Sequence, residues 1–260
     1  KNALLAILLL APMLGLIGTM IVNNRMAFFS DAIGHSTFTG LAIGTILGIS
    51  NLSLSAIIFS IIFAILITIF KYKSLTPTDT LISVFASIAA AFGVVILSSG
   101  GNFSKYSAFL IGDILSITNQ DLILLLITVV TIFLIWPLIF NKLFLLSLNY
   151  SLAKSKNINV IFYELLFTIV IAIVITISIR WVGILLINSL IVLPAAATRT
   201  ISKNMKDYHL YSILVALFSG VVGLLISYYV DISTGATIVL VAGFLYLSIL
   251  IFQKFLRYFF

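Results

Sequence analysis

What this chain can fold into is set first by the length and purity of its apolar runs. No charged side chain interrupts Ala3 to Val22, Leu52 to Phe70, Leu81 to Ser98 or Leu122 to Phe140. Wound as helix at about 1.5 Å per residue, a run of roughly twenty residues matches the roughly 30 Å hydrocarbon core of a bilayer. In hydrocarbon every backbone N–H and C=O needs an internal partner, which leaves only helices or a closed barrel. Barrel strands alternate apolar and polar positions, whereas these runs are continuous. The fold class is therefore all-α, a polytopic transmembrane helical bundle. Composition agrees: 8% of residues are charged, against about 25% in a soluble domain that must cover itself with polar groups.

Further spans are expected over Met26 to Ile49, Val160 to Ile179, Val182 to Ala197, Leu210 to Val230 and Thr234 to Phe252. The total is eight to nine spans, with nine preferred. A Gly/Ser-rich stretch, Ser98 to Ser107, follows the fourth. No repeat or linker divides the chain, so residues 1–260 are expected to form a single transmembrane domain. No small-residue cleavage site follows the first run, which reads as a span and not as a removable signal.

The formal net charge of +7 does not point to nucleic acid, because the basic residues lie between apolar runs. Arg25, Lys71 and Lys73, then Lys142, Lys154 and Lys156, then Arg199, Lys203 and Lys206, then Lys254 and Arg257 all fall on one side. Lys105 and Arg180 fall on the other. An excess of Lys and Arg marks the cytoplasmic side. The absence of cysteine excludes disulfides, thiolate metal sites and cysteine nucleophiles. No Gly-x-x-x-x-Gly-Lys-Ser/Thr run occurs, so a P-loop is not the source of any energy this chain uses.

Ionisable groups inside a span are costly, so they carry the functional information. Asp31 and His35 lie in the second expected span, Phe28-Phe29-Ser30-Asp31-Ala32-Ile33-Gly34-His35-Ser36. Four residues apart on a helix, they share a face. Carboxylate plus imidazole suits Zn²⁺, Mn²⁺ or Fe²⁺. Two ligands are too few for a tight structural site, which fits an ion that must also leave. A second copy, or a hydroxyl such as Ser36 or Thr39, could complete the shell. The competing reading is an Asp–His pair hydrogen-bonded for structure or for proton relay.

Gly34, Gly40, Gly44 and Gly48, with Gly15, Gly18, Gly220 and Gly223, read as close-packing positions. Pro194 is expected to bend the seventh span. Glu164 reads as an interfacial carboxylate in a first helical turn, His209 as a solvated loop residue and Asp231 as a turn or cap. Ser147 to Asn159 is long and basic, and fits either a short surface helix or a solvated loop.

The stretch Met26 to Gly40 resembles the signature of the zinc/manganese family of ABC transporter permeases. Val182-Gly183-Ile184-Leu185-Leu186 through Pro194-Ala195-Ala196, Tyr228 to Leu240, and Phe109-Leu110-Ile111-Gly112-Asp113-Ile114-Leu115 are similar to further elements of that family, in order along the chain. One departure is that Ser36, Thr37 and Thr39 stand where the family often has a proline. The resemblance implies a type II ABC importer-like fold in a bacterial plasma membrane. It implies a homodimer of permeases, cytoplasmic ATPase subunits docking near Ser147 to Asn159, and an extracytoplasmic protein that delivers the metal. It also implies that Asp31 and His35 line the path of Zn²⁺ or Mn²⁺, with ATP on the partner subunit and no cofactor in this chain. Two other functions fit an intramembrane Asp–His pair: an ATP-independent proton-coupled carrier, and a scaffold that moves nothing.

Overall fold

The computed structural model describes residues 1–99, 112 and 114–259. Lys105, Asp113 and most of the Gly/Ser-rich stretch lie outside the described residues. Every regular element among those described is helical. In chain order they are α1 (Asn2–Asn23), α2 (Phe29–Ile46), α3 (Leu52–Lys73), α4 (Thr78–Ser99), a 3-10 turn (Ile114–Ser116), α5 (Asn119–Leu148), α6 (Tyr150–Ser155), α7 (Val160–Arg199), α8 (Met205–Val230) and α9 (Thr234–Phe259).

Eight stretches are long and apolar enough to cross a membrane: α1, α3, α4, α5, the two parts of α7 (Val160–Ile179 and Val182–Arg199), α8, and α9 as far as Lys254. The ninth expected span is α2, and it differs in kind. It starts at Phe29 and not at Met26, because Asn24 to Phe28 form a turn with Arg25 in the left-handed region, at φ 55°. Its 18 residues reach about 27 Å at about 1.5 Å each. It carries Asp31, His35, three glycines and five hydroxyl side chains, yet most of it is buried. Neighbouring protein, not lipid, receives this helix.

The described residues gather into two compact units, each drawn from separate stretches of chain. One comprises Lys1–Val22, Ile111–Phe133 and Trp181–Phe260; the other comprises Asn23–Leu110 and Leu134–Arg180. The long elements α5 and α7 are each divided between them. In α7 the helix is broken at Gly183, whose φ of 78° and ψ of 160° are not helical. An L side chain rarely adopts that conformation.

In the first unit, glycines bring helices into backbone contact. A Cβ on Gly15 would lie 2.9 Å from the Ser212 carbonyl oxygen of α8, and one on Gly18 would collide with the Ile191 carbonyl in α7. Gly223 sits against the Ile238 backbone of α9 and Gly220 against Ile7. Gly112, at φ 73°, abuts the backbone of Val182 and Gly183, so two of the sequence elements set out above meet at glycines. Polar bonds gather one end of this unit. Arg199 donates to the Val22 carbonyl oxygen at 3.2 Å, Gln253 donates to the Thr200 carbonyl oxygen at 2.8 Å, and the Thr19 hydroxyl meets His209 Nδ1 at 2.8 Å. His209 is thus a half-buried residue of α8, not a solvated loop residue; Asn204 caps the helix earlier than hydropathy suggests, with its side chain accepting from the Asp207 N–H. Asp231 is the left-handed C-cap of α8.

The second unit is built around α2, which packs against α3 and α4. A Cβ on Gly40 would lie 2.9 Å from Ala56 Cα, and one on Gly44 would lie 2.7 Å from Ser55 Oγ. Gly48 does not pack: it lies past the end of α2 at φ 66° with open space around it, a turn glycine. Trp136 of α5 meets Phe167 of α7 at a centroid distance of 6.5 Å. At one end, Lys71 and Tyr72 of α3 both donate to the Glu164 carboxylate of α7, Lys142 donates to the Tyr163 hydroxyl, and Asn23 donates to Ser147 Oγ at 2.5 Å. Glu164 is therefore one half of an ion pair more than a helix-dipole partner.

Between α5 and α7 the basic stretch forms the short helix α6. Asn149 caps it by accepting from the Leu152 N–H at 3.2 Å. Ala153 is buried, while Leu148 and Leu152 are exposed.

Gly112→Ala is expected to lower stability by more than about 2 kcal/mol, because a side chain there meets backbone and adopts a strained φ. Gly243→Ala, where a Cβ would meet open space, is expected to leave stability unchanged or slightly raised. Thermal unfolding of the two purified variants in detergent checks the contrast.

Candidate functional site

The two residues singled out from the sequence lie on α2, inside the second unit. Asp31 occupies its first turn, where the positive end of the helix dipole favours a carboxylate. His35 follows one turn later. His35 Nε2 lies 3.6 Å from Asp31 Oδ2, and the two side chains are 28% and 40% exposed. Those exposures matter because the residues flanking and following the pair, Ser30, Ala32, Ile33, Gly34, Ser36 and Thr37 among them, are buried. The pair, with exposed Phe28 one turn before it, forms an open stripe on the first half of a mostly buried helix, whose far end at Ile46 is also exposed.

The hydroxyls that could have completed a shell face elsewhere. Ser36 Oγ donates to the Ile33 carbonyl oxygen at 2.8 Å and lies 3.3 Å from Ser60 Oγ of α3. Thr39 Oγ1 lies 2.6 Å from the Ala89 carbonyl oxygen of α4. Both are buried, and both tie α2 to its neighbours. Among the described residues no three His, Asp or Glu side chains come together. What the described residues bring together here is one carboxylate, Asp31, and one imidazole, His35.

A residue set that spacing alone does not reveal is the hydroxyl node behind this stripe. Thr37 Oγ1 lies 3.0 Å from Ser60 Oγ and 3.0 Å from Thr176 Oγ1 of α7. Serine and threonine in apolar runs were visible in the sequence, but their convergence depends on which helices adjoin.

The model of the ABC 3 transport family matches residues 1–253. The chain belongs to the ABC 3 transport family. It is 30% identical to the manganese import system permease protein ScaB of Streptococcus parasanguinis, covering 95% of this chain and 88% of that one. It is 28% identical to the high-affinity zinc uptake system membrane protein ZnuB of Buchnera aphidicola subsp. Baizongia pistaciae, covering 90% of each. Among solved structures it is similar to PsaBC from Streptococcus pneumoniae in complex with Fab, with a TM-score of 0.82, 28% identity, and coverage of 95% of this chain and 89% of that chain. With eight apolar helices, the family places the chain as a multi-pass permease of the bacterial cell membrane.

If the Asp–His pair served the fold, removing it would cost stability. Its partial exposure limits that cost. Asp31→Asn and His35→Gln, which keep shape, are each expected to shift stability by about 1 kcal/mol or less. Glu164→Ala, which strands half-buried Lys71, is expected to cost about 3 kcal/mol. Denaturation of the three variants against the parent reads both halves of the statement.

Proposed function

We propose that this chain is the membrane-spanning subunit of an ATP-driven importer for Mn²⁺ or Zn²⁺, and that Asp31 and His35 line the ion's path. The observation that carries this reading is the open Asp31–His35 stripe on a helix mostly buried in protein, in a chain whose relatives are named for manganese import and zinc uptake. Imidazole and carboxylate together accept either ion, because imidazole suits Zn²⁺ and carboxylate oxygen suits Mn²⁺.

Two ligands hold a divalent ion weakly. A second copy of the chain related by a two-fold axis would bring another Asp31 and His35, giving four ligands, the number a tetrahedral Zn²⁺ site uses. The homodimer is therefore part of the proposal. So are the ATPase subunits, which would dock on α6 and the exposed Leu148 and Leu152 beside it within the Ser147–Asn159 stretch, and an extracytoplasmic metal-binding protein. In this scheme the chain performs no chemistry. It alternates between states that expose the pair to either side, driven by ATP bound elsewhere. The ATP-independent proton-coupled carrier gains nothing from membership of the ABC 3 transport family, and the scaffold that moves nothing gains nothing from relatives named for import and uptake.

Element-resolved uptake in metal-starved cells carrying this chain with its ATPase is expected to show accumulation of Mn or Zn. The Asp31→Ala/His35→Ala chain, present in the membrane at the same amount, is expected to lose at least about 90% of it, as loss of both ligands demands. Uptake undiminished in that variant would refute the path assignment.

A further inference from the structure

The presentation of Asp31 and His35 depends on the rotation of α2 about its own axis. Buried Phe29, Ile33, Phe38 and Leu41, with Gly40 and Gly44 close against α3, seat this 18-residue helix. Apolar contact is non-directional, whereas hydrogen bonds are directional. Thr39 ties α2 to the Ala89 carbonyl oxygen of α4 at 2.6 Å, and the Gly40 carbonyl oxygen accepts from Ser55 Oγ of α3 at 2.8 Å. The densest set of such bonds gathers at Thr37.

Thr37 Oγ1 lies 2.9 Å from the Ile33 carbonyl oxygen of its own helix, 3.0 Å from Ser60 Oγ and 3.0 Å from Thr176 Oγ1. Ser36 adds a longer contact to Ser60 at 3.3 Å. Thr37 is 1% exposed, Ser60 0% and Thr176 6%, so no bulk water competes for these hydroxyls. At about 100° per residue, Thr37 lies roughly 160° around the helix from His35. The node therefore grips α2 on the side opposite the open stripe. It reaches two other elements at once, α3 through Ser60 and α7 through Thr176. A second hydroxyl pair, Thr68 with Thr168 at 3.0 Å, joins those same two elements to each other.

We propose that Thr37, Ser60 and Thr176 are positioning residues that fix the rotation of α2, and so determine that Asp31 and His35 face the open side. The inference rests on the reading of those two residues as ligands in the ion's path. The node touches no ion; it acts through the orientation of the helix. Each hydroxyl belongs to a residue whose near-isosteric replacement removes the bond and keeps the volume.

The absence of cysteine makes the rotation directly measurable. Asp31→Cys reports the open stripe, and Ala32→Cys, at a position that is 0% exposed, reports the sheathed face. In the assembled transporter with its ATPase, a charged thiol reagent is expected to label the first and spare the second. Adding Thr37→Val, or separately Thr176→Val, is expected to narrow the contrast: labelling at position 32 appears and labelling at position 31 falls about twofold or more. Without the cysteines, the same valine variants are expected to raise the KM for Mn²⁺ or Zn²⁺ uptake by about fivefold to tenfold, the effect of losing one or two oriented hydrogen bonds. The amount in the membrane and the ATPase rate should be unchanged, and Thr37→Ser should restore the parent KM. An unchanged labelling pattern in both valine variants overturns the proposal. A labelling contrast that narrows while KM stays fixed supports the node and instead refutes Asp31 and His35 as ligands.

Discussion

A helix that carries charge can stand within a membrane only if protein, and not lipid, surrounds it. That constraint organises the second unit. Lipid cannot hydrogen-bond a backbone or solvate a carboxylate, so the helix bearing Asp31 and His35 is enclosed by α3 and α4 and tied to α7 through Thr37. The apolar helices bear the lipid contact, and their polar cargo is held behind them. The close approach this needs is supplied by small residues, Gly40 against Ala56 and Gly44 against Ser55. Asp31 and His35 lie on a part of this helix that stays open, 40% and 28% exposed.

The same logic divides what the sequence reveals from what it hides. Spans facing lipid announce themselves, because a continuous apolar run has no other stable use. The eight that qualify begin and end within a few residues of the expected limits, apart from α8, which begins at Met205 where Leu210 was expected, and α5, which runs on to Leu148 from an expected end at Phe140. The enclosed helix is harder to delimit, because burial in protein removes the need for apolarity along its length. Its start at Phe29 is set by the left-handed turn at Arg25, which composition does not encode. Capping explains His209: Asn204 starts α8 before the apolar run begins, and the histidine becomes a half-buried partner of Thr19.

Of the candidate site, residue identity was legible and surroundings were not. An intramembrane Asp and His four apart stand out because each is costly. Which hydroxyls serve the ion and which serve the helix depends on rotation, which spacing gives only relative to the same helix. Ser36 and Thr39 share a span with the pair and proved to bond with α3 and α4. Ser60 and Thr176 lie 24 and 140 positions away from Ser36, and only the fold brings them together. Likewise Glu164 was visible as a carboxylate near a helix start, while its partners Lys71 and Tyr72 were not.

If Asp31 and His35 together ligate the transported ion, the bound metal must carry the signature of both. Electron–nuclear double resonance on Mn²⁺ bound to the purified, ATP-free transporter tests it without reference to transport. The expected result is a ¹⁴N coupling from a directly bound imidazole, abolished by His35→Gln, and weakened Mn²⁺ binding in Asp31→Asn. A Mn²⁺ signal with water and carboxylate couplings only, unchanged by His35→Gln, would contradict it.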